Sequence, residues 1–137
     1  MSEIIEDESF ISGYRSVDNE HRHQLSLLAA VRRAVVEARP KSEVDAVLQK
    51  LIDFTRAHFA SEASAMQLFR YPHYQHHVDE HDRTMGQIED LGAAHRTGGT
   101  HLTLQRVDTL HQWIREHILS TDNDFGRYLV RLGVGPG

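Results

Sequence analysis

The sequence contains no cysteine. That single absence excludes disulfides, iron–sulfur clusters, thiolate zinc sites and covalently attached c-type haem. No stretch approaches the roughly 18 apolar residues that a membrane span needs. The acidic segment from Met1 to Phe10 also lacks the apolar run of a secretory signal, so a cytoplasmic protein is expected. Positive charge is short as well: the net charge of -5 argues against a phosphate-tracking surface, and no nucleic-acid partner is expected. Strand alternation, hairpin dipeptides and internal repeats are missing too.

What remains is ordinary in bulk. With 137 residues, 39% hydrophobic and 26% charged, the chain suits one soluble domain with a real core. The exception is histidine. There are 11, and a surplus of the commonest metal-ligating side chain asks for a reason.

Breakers divide the chain into four helical stretches. The first runs from about Ser16 to Arg39 and stops at Pro40, with Ser16 or Asp18 available as an N-cap. The second opens after Ser42 and reaches about Arg70, before Tyr71-Pro72. A third covers about Tyr74 to Ala94 and fades into a loop over 95–100. The last spans about Leu102 to Arg131 and ends at Gly133. Long helices with short connections predict an all-α, up-down-up-down antiparallel four-helix bundle at 16–132. Residues 1–15 read as an N-terminal arm anchored by Phe10 and Tyr14, and 133–137 as a flexible tail.

Sites in bundles are built on core-facing stripes, where apolar residues recur at three- and four-residue steps. The first helix offers His21, Leu25, Leu28 and Val35 on one face. The second offers Val44, Leu48, Leu51, Thr55, His58, Glu62, Met66 and Phe69. The third offers His77, His81, Met85, Ile88 and Leu91, and the fourth Leu110, Ile114, His117 and Phe125. Every helix thus brings at least one histidine inward, and the second adds Glu62.

A lone histidine on such a stripe is best explained as a satisfied core residue. Five with a carboxylate would be several polar burials, each costing on the order of 1–3 kcal/mol. Metal ligation offsets that cost, since binding stabilises the fold. The other six histidines fail the facing test. His23 lies about 200° around the helix from His21, and His111 about 240° from His117. His76 sits off its stripe, while His73, His95 and His101 fall at helix ends or in loops; all six are expected at the surface.

His58/Glu62 and His77/His81 are i,i+4 pairs that share a helix face. Asp122 follows His117 by five residues, about 140° away on a regular helix. Both point inward only where the helix is distorted, for instance by a π-type turn, and spacing alone does not choose Asp122 over Asp124. Five imidazoles and two carboxylates suit a dinuclear site, and nitrogen and oxygen donors without thiolate suit iron, with zinc, manganese or copper left open by type. Two six-coordinate metals given five imidazoles, two bridging carboxylates and one bridging oxygen keep a single open position. A small neutral diatomic molecule would bind there.

These residues resemble the hemerythrin family, in its single-domain bacterial form. The resemblance spans about Phe10 to Tyr128 and rests on four ordered motifs. They are Gly13-Tyr14 with Val17-Asp18-Asn19-Glu20-His21; His58-Phe59 with Glu62 and Met66; Tyr71-Pro72 with His77 and His81; and Trp113-Ile114 with His117-Ile118 and Asp122. The resemblance implies two iron ions, oxo- or hydroxo-bridged, with His77, His81 and His117 on one and His21 and His58 on the other. Glu62 and Asp122 would bridge them, and dioxygen would be the ligand of the second iron. The chain departs from the family pattern in lacking a tryptophan in the arm, in Ala63 after the bridging glutamate, and in Glu20 where a glutamine is common. Trp113 and Ile118 would serve as pocket walls or as ordinary core.

Rival readings fare worse. Ferritin-like chemistry needs paired ExxH motifs, and only Glu20-His21-Arg22-His23 fits. His77-Val78-Asp79-Glu80-His81 matches the H-x-x-E-H of inverted zinc proteases, with Glu80 as general base. Glu80 is expected to point away from the stripe, however, and that reading leaves His21, His58 and His117 unexplained. A hemerythrin site could serve an oxygen carrier or store, an oxygen or redox sensor, or a scavenger of peroxide or nitric oxide. The lack of an attached output domain favours carriage, storage or delivery by a protein that is not an enzyme.

Overall fold

In the computed structural model the described residues are 12–97 and 99–134, with backbone alone for 99–102. The elements are α1 (Arg15–Val36), α2 (Lys41–Leu68), α3 (Tyr74–Thr97), α4 (Gly99–His117), a π-helical turn (Ile118–Asp122) and α5 (Asn123–Arg131). The backbone stays right-handed helical through both junctions of the π-helical turn, so α4, the turn and α5 form one rod. The α1 helix packs on α2 and α4, and α3 packs on the same two. The result is an antiparallel four-helix bundle, with no strand among the described residues.

Helix ends depart from expectation in instructive ways. Neither Ser16 nor Asp18 caps α1, which follows Tyr14 with no side-chain cap. Asp18 is instead buried and ties down the preceding segment. Its Oδ1 accepts from the Ser12 amide at 2.9 Å and the Ser12 hydroxyl at 2.8 Å, and its Oδ2 accepts from the Gly13 amide at 3.1 Å. That segment lies against α5, where a Cβ on Gly126 would overlap the Ser12 side chain. Tyr14 is buried as expected, whereas Phe10 lies outside the described residues.

The stretch 95–100, expected as a loop, is mostly helix. The α3 helix continues to Thr97, whose hydroxyl bonds the Ala93 carbonyl at 2.8 Å, and α4 resumes at Gly99. The α1 and α2 helices end earlier than expected, at Val36 and Leu68. Each is closed by a left-handed residue, Ala38 at φ 54° and Arg70 at φ 53°, and by amides reaching back five residues, Arg39 to Ala34 and Tyr71 to Met66.

The core is in two parts. A large apolar cluster, which includes Leu28, Val31, Leu51, Ile88, Leu91, Leu110 and Ile114, fills one end of the bundle. A smaller one of Tyr14, Val17, Met66, Tyr71, Phe125 and Leu129 fills the other. On each helix the polar stripe residues lie between those two sets.

Candidate metal centre

The six stripe residues and Asp122 all arrive in the belt between the two apolar clusters. They are His21 from α1, His58 and Glu62 from α2, His77 and His81 from α3, His117 from the end of α4, and Asp122 from the π-helical turn; every one is at least 95% buried. Asp122 reaches the interior because a π-helical turn closes over five residues, which stacks it above His117. The distortion that the spacing required is present. Asp124 is exposed.

The donors fall into two groups whose atoms lie within 4.8 Å of one another: His77, His81, His117 and Asp122, and His21, His58, Glu62 and Asp122. The carboxylates divide their oxygens between the groups. Asp122 Oδ1 lies 2.6 Å from His77 Nε2 and 2.9 Å from His117 Nε2, while Oδ2 lies 2.8 Å from His21 Nε2. Glu62 Oε1 lies 2.8 Å from the Nε2 atoms of both His77 and His81, while Oε2 faces His58 Nε2 at 3.7 Å. Each carboxylate therefore spans both groups.

The donor set fits metal ions rather than a closed hydrogen-bond network. The Nε2 atoms of His21, His58 and His117, together with Glu62 Oε2 and Asp122 Oδ2, are buried without a hydrogen bond. Several lie close to an opposite charge, so distance is not what fails; the angles do. The donor atoms of each group crowd together without pairing, and a cation among them is the partner that would satisfy them. Nitrogen and oxygen donors in this ratio suit a first-row divalent metal such as iron.

Electrostatics respond to the crowding. Burial pushes His77 down, but hydrogen bonds to Asp122 and Glu62 and their charges outweigh it and raise its pKa to about 9. His117 rises to about 10 in the same way, against burial, through Asp122 and Glu80. His58 is also raised despite burial, helped by Glu20 and Glu62, whereas burial keeps His81 below its usual value. Glu62 is opposed by burial and by Asp122, yet hydrogen bonds from His77 and His81 bring it to about 2. Burial opposes Asp122 too, but His117 and His21 hold it well below the usual carboxylate range.

Two further carboxylates support the imidazoles from outside, and the sequence reading missed both. Glu20 Oε1 lies 3.0 Å from His58 Nδ1, and Glu80 Oε1 lies 2.6 Å from His117 Nδ1. Each sits beside an inward histidine in sequence, at the seam with the next helix, and that adjacency was the available signal. Such partners fix a ligand ring's tautomer and orientation. Phe59 stacks on His81 with centroids 3.9 Å apart, and Phe54 lies parallel to His58 at 5.9 Å.

The histidines left out of the site are not all at the surface. His23, His73 and His76 are exposed, but His111 is buried and its pKa is lowered, by burial first and by Arg115 second. The α4 helix touches both α1 and α3, so its buried arc is wider than one stripe. His95 is half-buried, with Nε2 3.1 Å from Asp45. Of the two expected pocket walls, Ile118 belongs to the large apolar cluster and Trp113 packs against it, its indole N–H donating to Thr84.

Comparison with known proteins agrees with the geometry. The family profile described as the hemerythrin HHE cation binding domain matches residues 12–129. The chain is similar to a myohemerythrin of Sipunculus nudus, 29% identical over 85% of each chain. It also resembles a bacteriohemerythrin of Methylococcus capsulatus, 30% identical over 63% of this chain and 66% of that one. A third relative is a bacteriohemerythrin of Pseudomonas paraeruginosa, 21% identical over 89% of this chain and 78% of that one. With a bundle whose seven inward donors form two groups sharing a carboxylate, and a family profile covering nearly all of it, the chain belongs to the hemerythrin family, whose domain binds a di-iron centre.

Proposed function

We propose that this protein binds dioxygen reversibly and serves as a cytoplasmic oxygen store or carrier. In this reading His77, His81 and His117 hold one iron, His21 and His58 hold the other, and Glu62 and Asp122 bridge them. The observation that carries it is the division of carboxylate oxygens, one from each of Glu62 and Asp122 toward each histidine group. An unequal sharing of three and two imidazoles leaves the second position short of a donor, which is where a small ligand fits. Two ferrous ions would supply the two electrons that dioxygen accepts on binding and returns on release.

The chain's own residues make that reversible. The five imidazoles are orienting donors. Ile114 and Ile118 on the side of the large cluster, and Met66 and Phe125 on the other, exclude water that would otherwise promote irreversible oxidation. The family is one of oxygen-binding proteins rather than enzymes, which favours binding over turnover.

The test is anaerobic reduction of the purified protein followed by mixing with dioxygen and optical tracking. Two irons per chain and a long-lived charge-transfer band that disappears when oxygen is removed are the expected results. One metal per chain, or zinc as the resident metal, would sink the di-iron assignment. Rapid oxidation with peroxide turnover would instead favour a sensor or scavenger.

A further inference from the structure

Glu80 stands in the His-Val-Asp-Glu-His string of α3, where the sequence places it facing away from the interior. The structure turns it toward the fourth rod instead. Its Oε1 lies 2.6 Å from His117 Nδ1 and accepts from the Thr121 hydroxyl at 2.5 Å, while its Oε2 is 3.4 Å from Nε2 of the exposed His76. The Glu80 side chain is only 15% exposed. His117 immediately precedes the π-helical turn, and Thr121 sits inside it, next to Asp122. One carboxylate thus holds the rod both just before its distortion and within it.

We propose that Glu80 is a positioning residue that holds the π-helical turn in register and thereby sets metal affinity, most strongly at the three-histidine position, which draws both His117 and Asp122 from that rod. The proposal rests on the di-iron reading above. A π-helical turn is rare and is a local distortion of an otherwise α-helical rod. Released, this one would relax toward regular helix, on which residues five apart diverge by about 140°. His117 and Asp122 would then no longer face one point. The bond to Nδ1 also fixes the His117 ring so that Nε2, 2.9 Å from Asp122, is the atom turned inward.

Nothing equivalent acts on the other group. Glu20 lies 3.0 Å from His58 Nδ1, on a regular stretch of α2 away from the turn, and the buried Nδ1 of His21 has no hydrogen bond. The support is therefore lopsided, and so should be the effect of removing it.

The experiment titrates chelator-stripped full-length protein with cobalt(II) and reads the visible d–d absorption, which reports ligand geometry. The unaltered chain is expected to take up two ions tightly. Glu80→Ala should weaken the ion at the three-histidine position about 10- to 100-fold, with a changed spectrum, and the other ion, which shares only Asp122 with the turn, by less. Glu80→Gln keeps an acceptor oxygen and the side-chain volume, so it should recover most of the loss. Thr121→Val should fall between the two. Circular dichroism of the metal-free variants checks folding, and if Glu80→Ala does not fold, the two volume-preserving variants carry the test. Two unchanged tight sites in the variants would overturn the proposal, as would a Glu80→Gln variant as impaired as Glu80→Ala, which would mean that charge and not position matters. An unaltered chain holding fewer than two ions would instead overturn the di-iron reading itself.

Discussion

Replacing Asp122 with alanine is expected to remove both metals, not one. Its Oδ1 serves His77 and His117 and its Oδ2 serves His21, so a single truncation takes an oxygen from each donor group. No other described acid is placed to substitute, since Asp124 is exposed. The cost extends to the metal-free chain. Three buried imidazoles each lose a carboxylate partner, and breaking a buried pair from one side costs about 3–5 kcal/mol. Metal analysis should fall from two ions per chain to nearly none, with a lower melting temperature even in chelator. His23→Ala, on an exposed residue, should keep both ions. Retention of two ions by Asp122→Ala would disprove the shared-ligand role.

Stripping the metals from the unaltered chain should produce the largest stability change of any simple treatment. Ligand that binds only the folded state adds about 4 kcal/mol per site at 1,000 times its dissociation constant. Two sites at that level, in a domain of this size, correspond to a melting temperature on the order of 20 °C higher than in the stripped form. The gap should also widen with pH. In the stripped chain His77 and His117 are raised from 6.5 to about 9 and about 10, so their contribution is complete below pH 6.5 and disappears as pH climbs through 9 and 10. Glu62, lowered from 4.5 to about 2, contributes above pH 4.5 and is lost as pH falls through 2. His81 is shifted down, which trims the acid side of that window. Metal, by contrast, needs the imidazoles deprotonated and binds better as pH rises. Melting curves between pH 5 and 10, with and without chelator, measure both trends; a stripped chain that gains stability toward pH 10 would contradict them.

Much of this was legible from periodicity. A residue's place on a helical stripe depends only on its own helix, so His21, His58, Glu62, His77, His81 and His117 could be found without knowing the neighbours. Asp122 was harder, because five residues do not close a regular helix; the spacing showed that a distortion was needed and the π-helical turn supplies it. The supporting roles of Glu20 and Glu80 were missed for a different reason. Their roles depend on which helix lies alongside and how far a side chain reaches across the seam, which no single-helix pattern encodes. The same limit explains His111, buried by two neighbours at once. The cap at Asp18 failed because a carboxylate can satisfy the amides of the segment before a helix as readily as those of its first turn.

The polar belt divides the apolar interior into unequal portions, one spanning all four rods and one confined to the end where Ser12–Tyr14, α5 and Tyr71 meet. Without metal the belt is joined by the hydrogen bonds of His77 to Asp122, His81 to Glu62 and His117 to Glu80, while the remaining donor atoms are left unpaired. The smaller apolar cluster is then expected to open more readily than the larger one, on helices that both share. Amide exchange in the stripped chain should be faster around Phe125 and Leu129 than around Leu28 and Ile88, and the two rates should converge once metal is restored. The metal pair is then a mechanical rivet as well as a ligand site, and its loss exposes one end of the bundle before the whole.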